Sequence, residues 1–173
     1  MERISEISIR GRIAYLISLF VRMLESLNHN VDDWEIIISV LCEYTSNELL
    51  DDWLYKMAEY MPDSVLEDPI DGAEYITEEE QMVCKELYRN AEPCVHEMIN
   101  LIFEAGTYDT YSRIIGRGEY TIHKVQEAIS LMNEHGFPIT SIKPYLQFEF
   151  VDGDGWGEPF DSTILVRGKS GDN

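Results

Sequence analysis

This sequence has few cysteines, few basic residues and no long apolar run. The three cysteines among 173 residues, Cys42, Cys84 and Cys94, are too few and of the wrong parity for a disulfide scaffold. No apolar run reaches the roughly 18 residues that a transmembrane helix needs. The first residues lack the basic region, the apolar region and the cleavage site of a signal peptide. We therefore expect a cytoplasmic protein with no membrane partner.

The shortage of basic residues bears on the kind of partner. The chain holds 13 lysines and arginines against 33 aspartates and glutamates, which gives a net charge of −20 at pH 7. A protein that binds DNA or RNA needs lysine and arginine to displace the counterions of the phosphates. The arginines near the N-terminus form the only basic cluster, and they are interleaved with apolar residues. The composition therefore argues against nucleic acid and against anionic membrane surfaces as partners.

The negative charge is concentrated in the middle of the chain. Residues 31–105 contain 20 acidic residues and three basic ones. Residues 59–80, called the acidic stretch below, contain nine acids and neither lysine nor arginine. Clustered charge of one sign accelerates the encounter with a partner of the opposite sign; the alternative is a solvated surface that only keeps the protein soluble. The nine acids are Glu59, Asp63, Glu67, Asp68, Asp71, Glu74, Glu78, Glu79 and Glu80.

The apolar residues predict a helical bundle. They make up 45% of the chain, enough for the core of a single domain over residues 1–173. Between residues 4 and 135 they recur at helical spacing and predict five or six helices, with Trp34 and Trp53 at core positions. Thr77 and Glu80 form a capping-box pattern at one helix start, and Pro93 opens another helix. The prolines and the glycine in residues 62–76 predict a long acidic loop.

The pattern changes from helical to alternating near the C-terminus. Leu146, Phe148 and Phe150 alternate with polar residues, a period of two that is typical of a strand. A turn rich in glycine and aspartate follows, and residues 164–166 are apolar. We therefore predict a β-hairpin over residues 145–167 and a frayed tail at residues 168–173. The expected fold class is mainly α, a bundle-like domain with a C-terminal β-hairpin.

The sequence contains no recognisable catalytic or metal-binding pattern. His96 and Glu97 begin like the helix of a zinc protease, but Asn100 stands where the second histidine belongs. The cysteines are too widely spaced for a zinc knuckle, and the turn at Asp152 lacks the acid that closes a calcium loop. We therefore expect no enzymatic activity and no bound metal or cofactor.

Aromatic residues near acids are candidates for the centre of a protein interface. Trp156 lies in the C-terminal turn among acidic residues, where a large side chain has little reason to be buried. The alternative is that Trp156 folds back and caps the hairpin against the helices. The expected partner-binding residues are Glu59, Asp63, Glu67, Asp68, Asp71, Glu74, Tyr75, Tyr108, Asp152, Asp154, Trp156 and Glu158.

A small, strongly acidic, mainly helical chain with no catalytic pattern resembles the immunity proteins of bacterial polymorphic-toxin and contact-dependent growth-inhibition systems. The resemblance lies in this overall character and in the helical segments 13–27 and 34–60, which include Trp34 and Trp53. It implies a bacterial cytoplasmic protein that binds a cognate toxin domain, often a basic nuclease, and blocks its active site or an exosite. The acids would steer the association, and aromatic residues would supply the desolvated centre of the interface.

Two other functions are compatible with the same composition. The acids could mimic the phosphates of DNA and inhibit a nucleic-acid enzyme, which predicts two rows of carboxylates on an elongated body. Alternatively, the protein is a regulatory or adaptor module whose acids confer solubility, which predicts an apolar groove away from residues 59–80.

Overall fold

The computed structural model describes residues 3–67, 72–110 and 113–168, and this part of the chain is mainly helical, as predicted. It contains more helices than the five or six expected, and two of these helices are very short. The predicted frayed tail lies, from residue 169 onward, outside the described residues. The eight α-helices of the described residues are α1 (Ile9–Ser26), α2 (Glu35–Ser46), α3 (Leu50–Tyr60), α4 (Pro62–Glu67), α5 (Glu78–Asn90), α6 (Pro93–Thr107), α7 (Glu119–Glu134) and α8 (Thr163–Val166).

Helix α1 is the centre of the fold. Every residue from Ile9 to Val21 is buried, and α1 packs against α2, α6, α7 and α8. A helix that is covered on all sides belongs in the interior of a domain. Gly11 allows the chain before α1 and Phe148 to approach this helix closely, since a Cβ atom there would lie 2.6 Å from the side chain of Ile7 and 3.0 Å from that of Phe148.

Two arginines of α1 are buried together with its apolar residues. The Arg12 guanidinium donates to the carbonyl of Ile4 (3.1 Å), the carbonyl of Gly118 (3.0 Å) and the hydroxyl of Thr121 (2.8 Å). Burial lowers the pKa of Arg12 to about 10. Arg10 donates to the carbonyl of Tyr44. These guanidinium groups therefore hold the backbone together from inside the molecule and do not neutralise the acidic stretch.

Tryptophan packing joins α2, α3 and α6, as the helical spacing predicts. Trp34 and Trp53 are almost fully buried. The Trp53 indole donates to the carbonyl of Val40 (2.8 Å) and meets the Tyr44 ring edge-on at 4.9 Å. Gly106 of α6 lies so close that a Cβ atom there would be 2.8 Å from the Trp53 ring.

The prediction of a β-hairpin at residues 145–167 is wrong. No strand is assigned in the described residues, and a single isolated antiparallel bridge joins Ile7 to Glu149. Residues Lys143–Gln147 and Asp152–Gly155 form short 3₁₀ helices, and Thr163–Val166 form α8. The segment after α7 is therefore a chain of short turns that covers the N-terminal end of α1.

The alternating apolar residues Phe148 and Phe150 pair with a different segment of the chain from the one that the sequence pattern predicts. The backbone N–H of Ser8 donates to the carbonyl of Phe148, and that of Phe150 donates to the carbonyl of Glu6, both at 2.8 Å. The ring of Phe148 stacks on Phe160 at 3.8 Å. The partner of the extended segment is therefore the chain just before α1 and not residues 164–166.

The region between α3 and α5 is partly helical, so the prediction of a loop over residues 62–76 is wrong at its start. Pro62 is the first residue of α4, a position where its missing N–H has no intrahelical partner to lose. The capping box at the start of α5 is confirmed: the Thr77 hydroxyl accepts from the N–H of Glu80 (3.2 Å), and the Glu80 carboxylate accepts from the N–H of Thr77 (2.9 Å).

Candidate partner-binding surface

The acidic stretch spans the end of α3, all of α4 and the start of α5. Helix α4 packs against both α3 and α5. Two of the predicted partner-binding acids, Asp68 and Asp71, lie outside the described residues. The exposed acids of the described part are Asp63, Glu67, Glu74, Glu78 and Glu79.

Glu59 and Glu80 differ from the other acids because they hold the backbone. The Glu59 carboxylate accepts the N–H groups of Glu74 (2.8 Å), Tyr75 (2.8 Å) and Ile76 (2.9 Å). Partial burial acts to raise the pKa of Glu59, but these three hydrogen bonds outweigh it and the pKa lies below its ordinary value. The pKa of Glu80 is lowered chiefly by the backbone N–H of Thr77. Glu59 thus fixes the approach to α5, and Glu80 caps it.

The described acids of the stretch are not paired with described lysine or arginine residues. Among the described residues, no ion pair joins an acid of this stretch to lysine or arginine. Lys56, on α3, is paired with Glu43 at 2.7 Å. Arg3 and Arg22 pair with glutamates three residues away. The exposed carboxylates of Asp63, Glu67, Glu74, Glu78 and Glu79 therefore face solvent without a described lysine or arginine partner.

Two apolar residues stand beside these acids on α5. The exposed fraction is 65% for Met82 and 44% for Val83. Together with Leu87, Asp33 and Glu86 they line a groove of about 470 Å³. This groove was not predicted from the sequence, although the residue spacing in α5 indicates which residues are exposed. Because the helix buries Cys84 and Tyr88, Met82 and Val83 point outward.

The aromatic candidates lie in three different environments. Tyr75 is 36% exposed and follows α4 within the acidic stretch. Tyr108 is 52% exposed at the end of α6, and its ring stacks on Tyr120 at 3.6 Å. Trp156 is half-buried against the core, and its carbonyl accepts the N–H of Arg10 at 2.9 Å. The placement of Trp156 follows the alternative in which it folds back onto the helices.

The three C-terminal acids belong to the segment that packs against the start of α1. Asp152, Asp154 and Glu158 are exposed. Asp154 has a left-handed backbone (φ 56°), so the turn at Asp152–Gly155 is tight. The structure thus places these residues on the segment that covers α1, whereas the acidic stretch belongs to α3, α4 and α5.

A second groove, of about 570 Å³, lies between α6 and α7 and has a polar lining. The Lys124 ammonium at its side is paired with Glu104 (2.6 Å) and Glu127 (2.7 Å). These two carboxylates raise the pKa of Lys124 even though burial acts to lower it. The charge of Lys124 is therefore neutralised within the protein.

The cysteines are buried, and two of the histidines are engaged in contacts within the protein. All three cysteines are buried and free, and burial raises the pKa of Cys42 to about 11 and of Cys84 to about 12, so their thiolates are scarce at neutral pH. His29 contacts Glu92 at 2.8 Å, and His96 contacts the carbonyl of Tyr88 at 3.0 Å. Within the described ranges, no group of three His, Cys, Asp or Glu residues is arranged to hold a metal ion.

Comparisons of the chain with models of protein families, with characterised proteins and with solved structures found no significant match. Among the described helices, none combines the length and the apolar character that crossing a lipid bilayer requires.

Proposed function

We propose that this chain is a non-enzymatic inhibitor that binds a basic protein, and that it serves as an immunity protein against a cognate toxin domain. The main support is the state of the acidic stretch. Its described, exposed carboxylates lie on α4, on α5 and on the connection between these two packed helices, and no ion pair of the described residues joins them to lysine or arginine. The arginines that could have neutralised them are buried in α1 or paired locally.

The spacing of these acids lets them act together on a partner. Asp63 and Glu67 are four residues apart on α4, and Glu78 and Glu79 are adjacent on α5. Side chains four residues apart on a helix are about 5–6 Å apart, which is shorter than the Debye length of about 8 Å at physiological salt. Salt therefore does not isolate the charges from one another, and their potentials add at the surface.

Binding a basic surface also relieves a cost in the free protein. Like charges four residues apart destabilise a helix by about 0.2–0.5 kcal/mol per pair. Lysine or arginine side chains of a partner would remove this repulsion and gain attraction from several carboxylates at once. Relief of the repulsion between these carboxylates thus contributes to the free energy of binding.

The test is protection in a bacterial host. We expect a toxin gene to flank the gene of this protein, and the C-terminal domain of its product, produced alone, is expected to stop growth. Co-production of this protein is expected to restore growth, and the two purified chains are expected to form a complex. No protection and no complex with any basic product of the flanking genes would overturn the proposal. Displacement of the protein by duplex DNA would point instead to a DNA-mimic inhibitor.

A charge-reversed variant connects protection to the acidic stretch. In it, Asp63, Glu67, Glu78 and Glu79 are all changed to lysine, and protection is expected to be lost. The matched control reverses four other exposed acids, namely Glu48, Glu97, Glu134 and Glu149. Equal protection by both variants would remove the acidic stretch from the interface.

A further inference from the structure

Helix α5 exposes an apolar surface that the fold of the protein does not use. Met82 and Val83 are 65% and 44% exposed, although Cys84 and Tyr88 anchor the opposite side of the same helix in the core. Isolated exposed apolar residues are common on proteins. These two are adjacent, and with Leu87 they form the apolar lining of a groove of about 470 Å³.

The rim of this groove is negative. Asp33 and Glu86 line it, and Glu79 lies one helical turn before Val83. Asp33 accepts a hydrogen bond from Asn30 (2.9 Å). No lysine or arginine lines the groove in the described part of the chain.

In the described part of the chain, no basic residue forms an ion pair with the acids of this rim. The nearby Arg167 pairs with Asp32 and Glu35 instead of Asp33. At 100° per residue, Lys85 lies about 60° from Met82 on the side away from Val83, and Arg89 lies within about 20° of Met82. Among the described residues, neither of them forms an ion pair with Asp33 or Glu86.

We infer that this groove, called the α5 groove below, docks an apolar side chain of the basic partner while lysine or arginine residues beside that side chain reach Asp33, Glu79 and Glu86. The inference rests on the proposed function and names the surface through which it acts. A segment that alternates apolar and basic residues along one helix face is the occupant that fits.

The charge of the groove favours this occupant over a second copy of the chain. A second copy carries a net charge of −20 and would bring the same acidic rim against itself. Methionine also suits the centre of such an interface because its unbranched, polarisable side chain adapts to the shape of the partner. Glu78 and Glu79 stand one turn before Met82 and Val83, so capture by the acidic stretch leads directly to the groove.

Two synthetic peptides serve as probes. One carries leucine and lysine at helical spacing, and the other has the same lysines with serine in place of leucine. Titration calorimetry at low salt is expected to give a dissociation constant at least tenfold lower for the leucine peptide, because only that peptide fills the apolar centre. Equal affinity for the two peptides would overturn the inference.

The variants Met82→Ser and Val83→Ser test the position of the docking. Each is expected to weaken binding of the leucine peptide by about fivefold or more and to leave the serine peptide unaffected. The matched control is Leu49→Ser, because Leu49 is 68% exposed. Leu49 follows the C-terminal end of α2, whereas Asp33 precedes the N-terminal end of the same helix. The control is expected to bind within twofold of the unaltered protein.

The outcomes separate this inference from the proposed function. If Met82→Ser binds like the unaltered protein while the charge-reversed variant does not bind, the α5 groove is not the docking site and the inhibitor proposal stands. If the protein dimerises in sedimentation experiments and Met82→Ser abolishes the dimer, the groove serves self-association and the inference is overturned. Failure of protection in the bacterial host bears on the proposed function alone.

Discussion

The Glu59 carboxylate accepts the backbone N–H of Tyr75 at 2.8 Å, so an acid within the acidic stretch also sets the path of the chain between α4 and α5. The same carboxylate accepts the N–H groups on either side of Tyr75. Glu59 therefore contributes both to the negative charge and to the backbone structure, so its substitution is expected to change stability as well as charge.

Glu59→Gln is expected to lower the free energy of unfolding by about 1–2 kcal/mol at pH 7, after allowance for partial exposure, because hydrogen bonds to a charged acceptor are the stronger ones. The folded-state pKa of Glu59 is depressed below 4.5, so this stability is present above pH 4.5 and is lost as the pH falls through the folded-state pKa. Urea unfolding at a series of pH values should show the two proteins converge in acid. Glu74→Gln is the control, and an equal loss there would contradict the role of Glu59.

Gly106→Ala is expected to destabilise the protein by about 1–3 kcal/mol, although alanine normally favours a helix over glycine. The new Cβ atom would lie 2.8 Å from the Trp53 ring and 3.1 Å from that of Tyr44. Thermal unfolding measures the loss. In the double variant with Trp53→Leu, the second substitution gives the methyl group room, so the two losses should be less than additive. Strict additivity would show that the close contact is not the cause.

Arg12→Lys is expected to cost about 2–4 kcal/mol despite the conserved charge. A lysine cannot serve the Ile4 carbonyl, the Gly118 carbonyl and the Thr121 hydroxyl from one planar group, and a buried cation without partners is strongly destabilising. Arg3→Lys, at an exposed pair with Glu6, should change stability by less than about 0.5 kcal/mol. Similar stability of the two variants in chemical denaturation would refute this account.

Alkaline pH is expected to destabilise the fold through its buried thiols. Burial raises the pKa of Cys84 from 9.0 to about 12. Because the folded-state pKa is the higher one, the contribution is complete below pH 9 and is lost as the pH rises towards 12. The slope for one such group is about 1.4 kcal/mol per pH unit. Under reducing conditions Cys84→Ala should show a shallower loss of stability above pH 9, and parallel curves would rule Cys84 out.

Association with a basic partner is expected to be fast at low salt and to slow steeply as salt is added, since the acidic stretch acts over distance. The variant with lysine at positions 63, 67, 78 and 79 should associate at least tenfold more slowly. Stopped-flow kinetics at several salt concentrations, with the reversal at Glu48, Glu97, Glu134 and Glu149 as control, measures the difference. An unchanged rate in the first variant would exclude steering by this stretch.

The helices were predictable from sequence where local signals agree. The capping box of Thr77 and Glu80, the start of α6 at Pro93 and the core positions of Trp34 and Trp53 all follow from spacing and residue type. Helix α4 was not predicted, because a proline that ends one helix also begins the next at Pro62.

The C-terminal region and the α5 groove depend on contacts that local patterns do not encode. Phe148 and Phe150 pair with the chain before α1, about 140 residues away, so their alternation suggested the wrong partner. The exposure of Met82 could be read from the helical period of α5. The groove needs Asp33, from a different element, and no pattern within α5 reveals that neighbour.

The cover that residues 148–157 provide for α1 has a consequence for biosynthesis. Ser8 and Arg10 obtain their backbone hydrogen-bond partners only when Phe148 and Trp156 have left the ribosome. At 5–20 residues per second, about 7–28 seconds separate the emergence of the two segments. During that interval the nascent polypeptide carries its most buried helix without the segment that covers its start, so chaperone engagement should be highest before residues 148–157 emerge and decline afterwards.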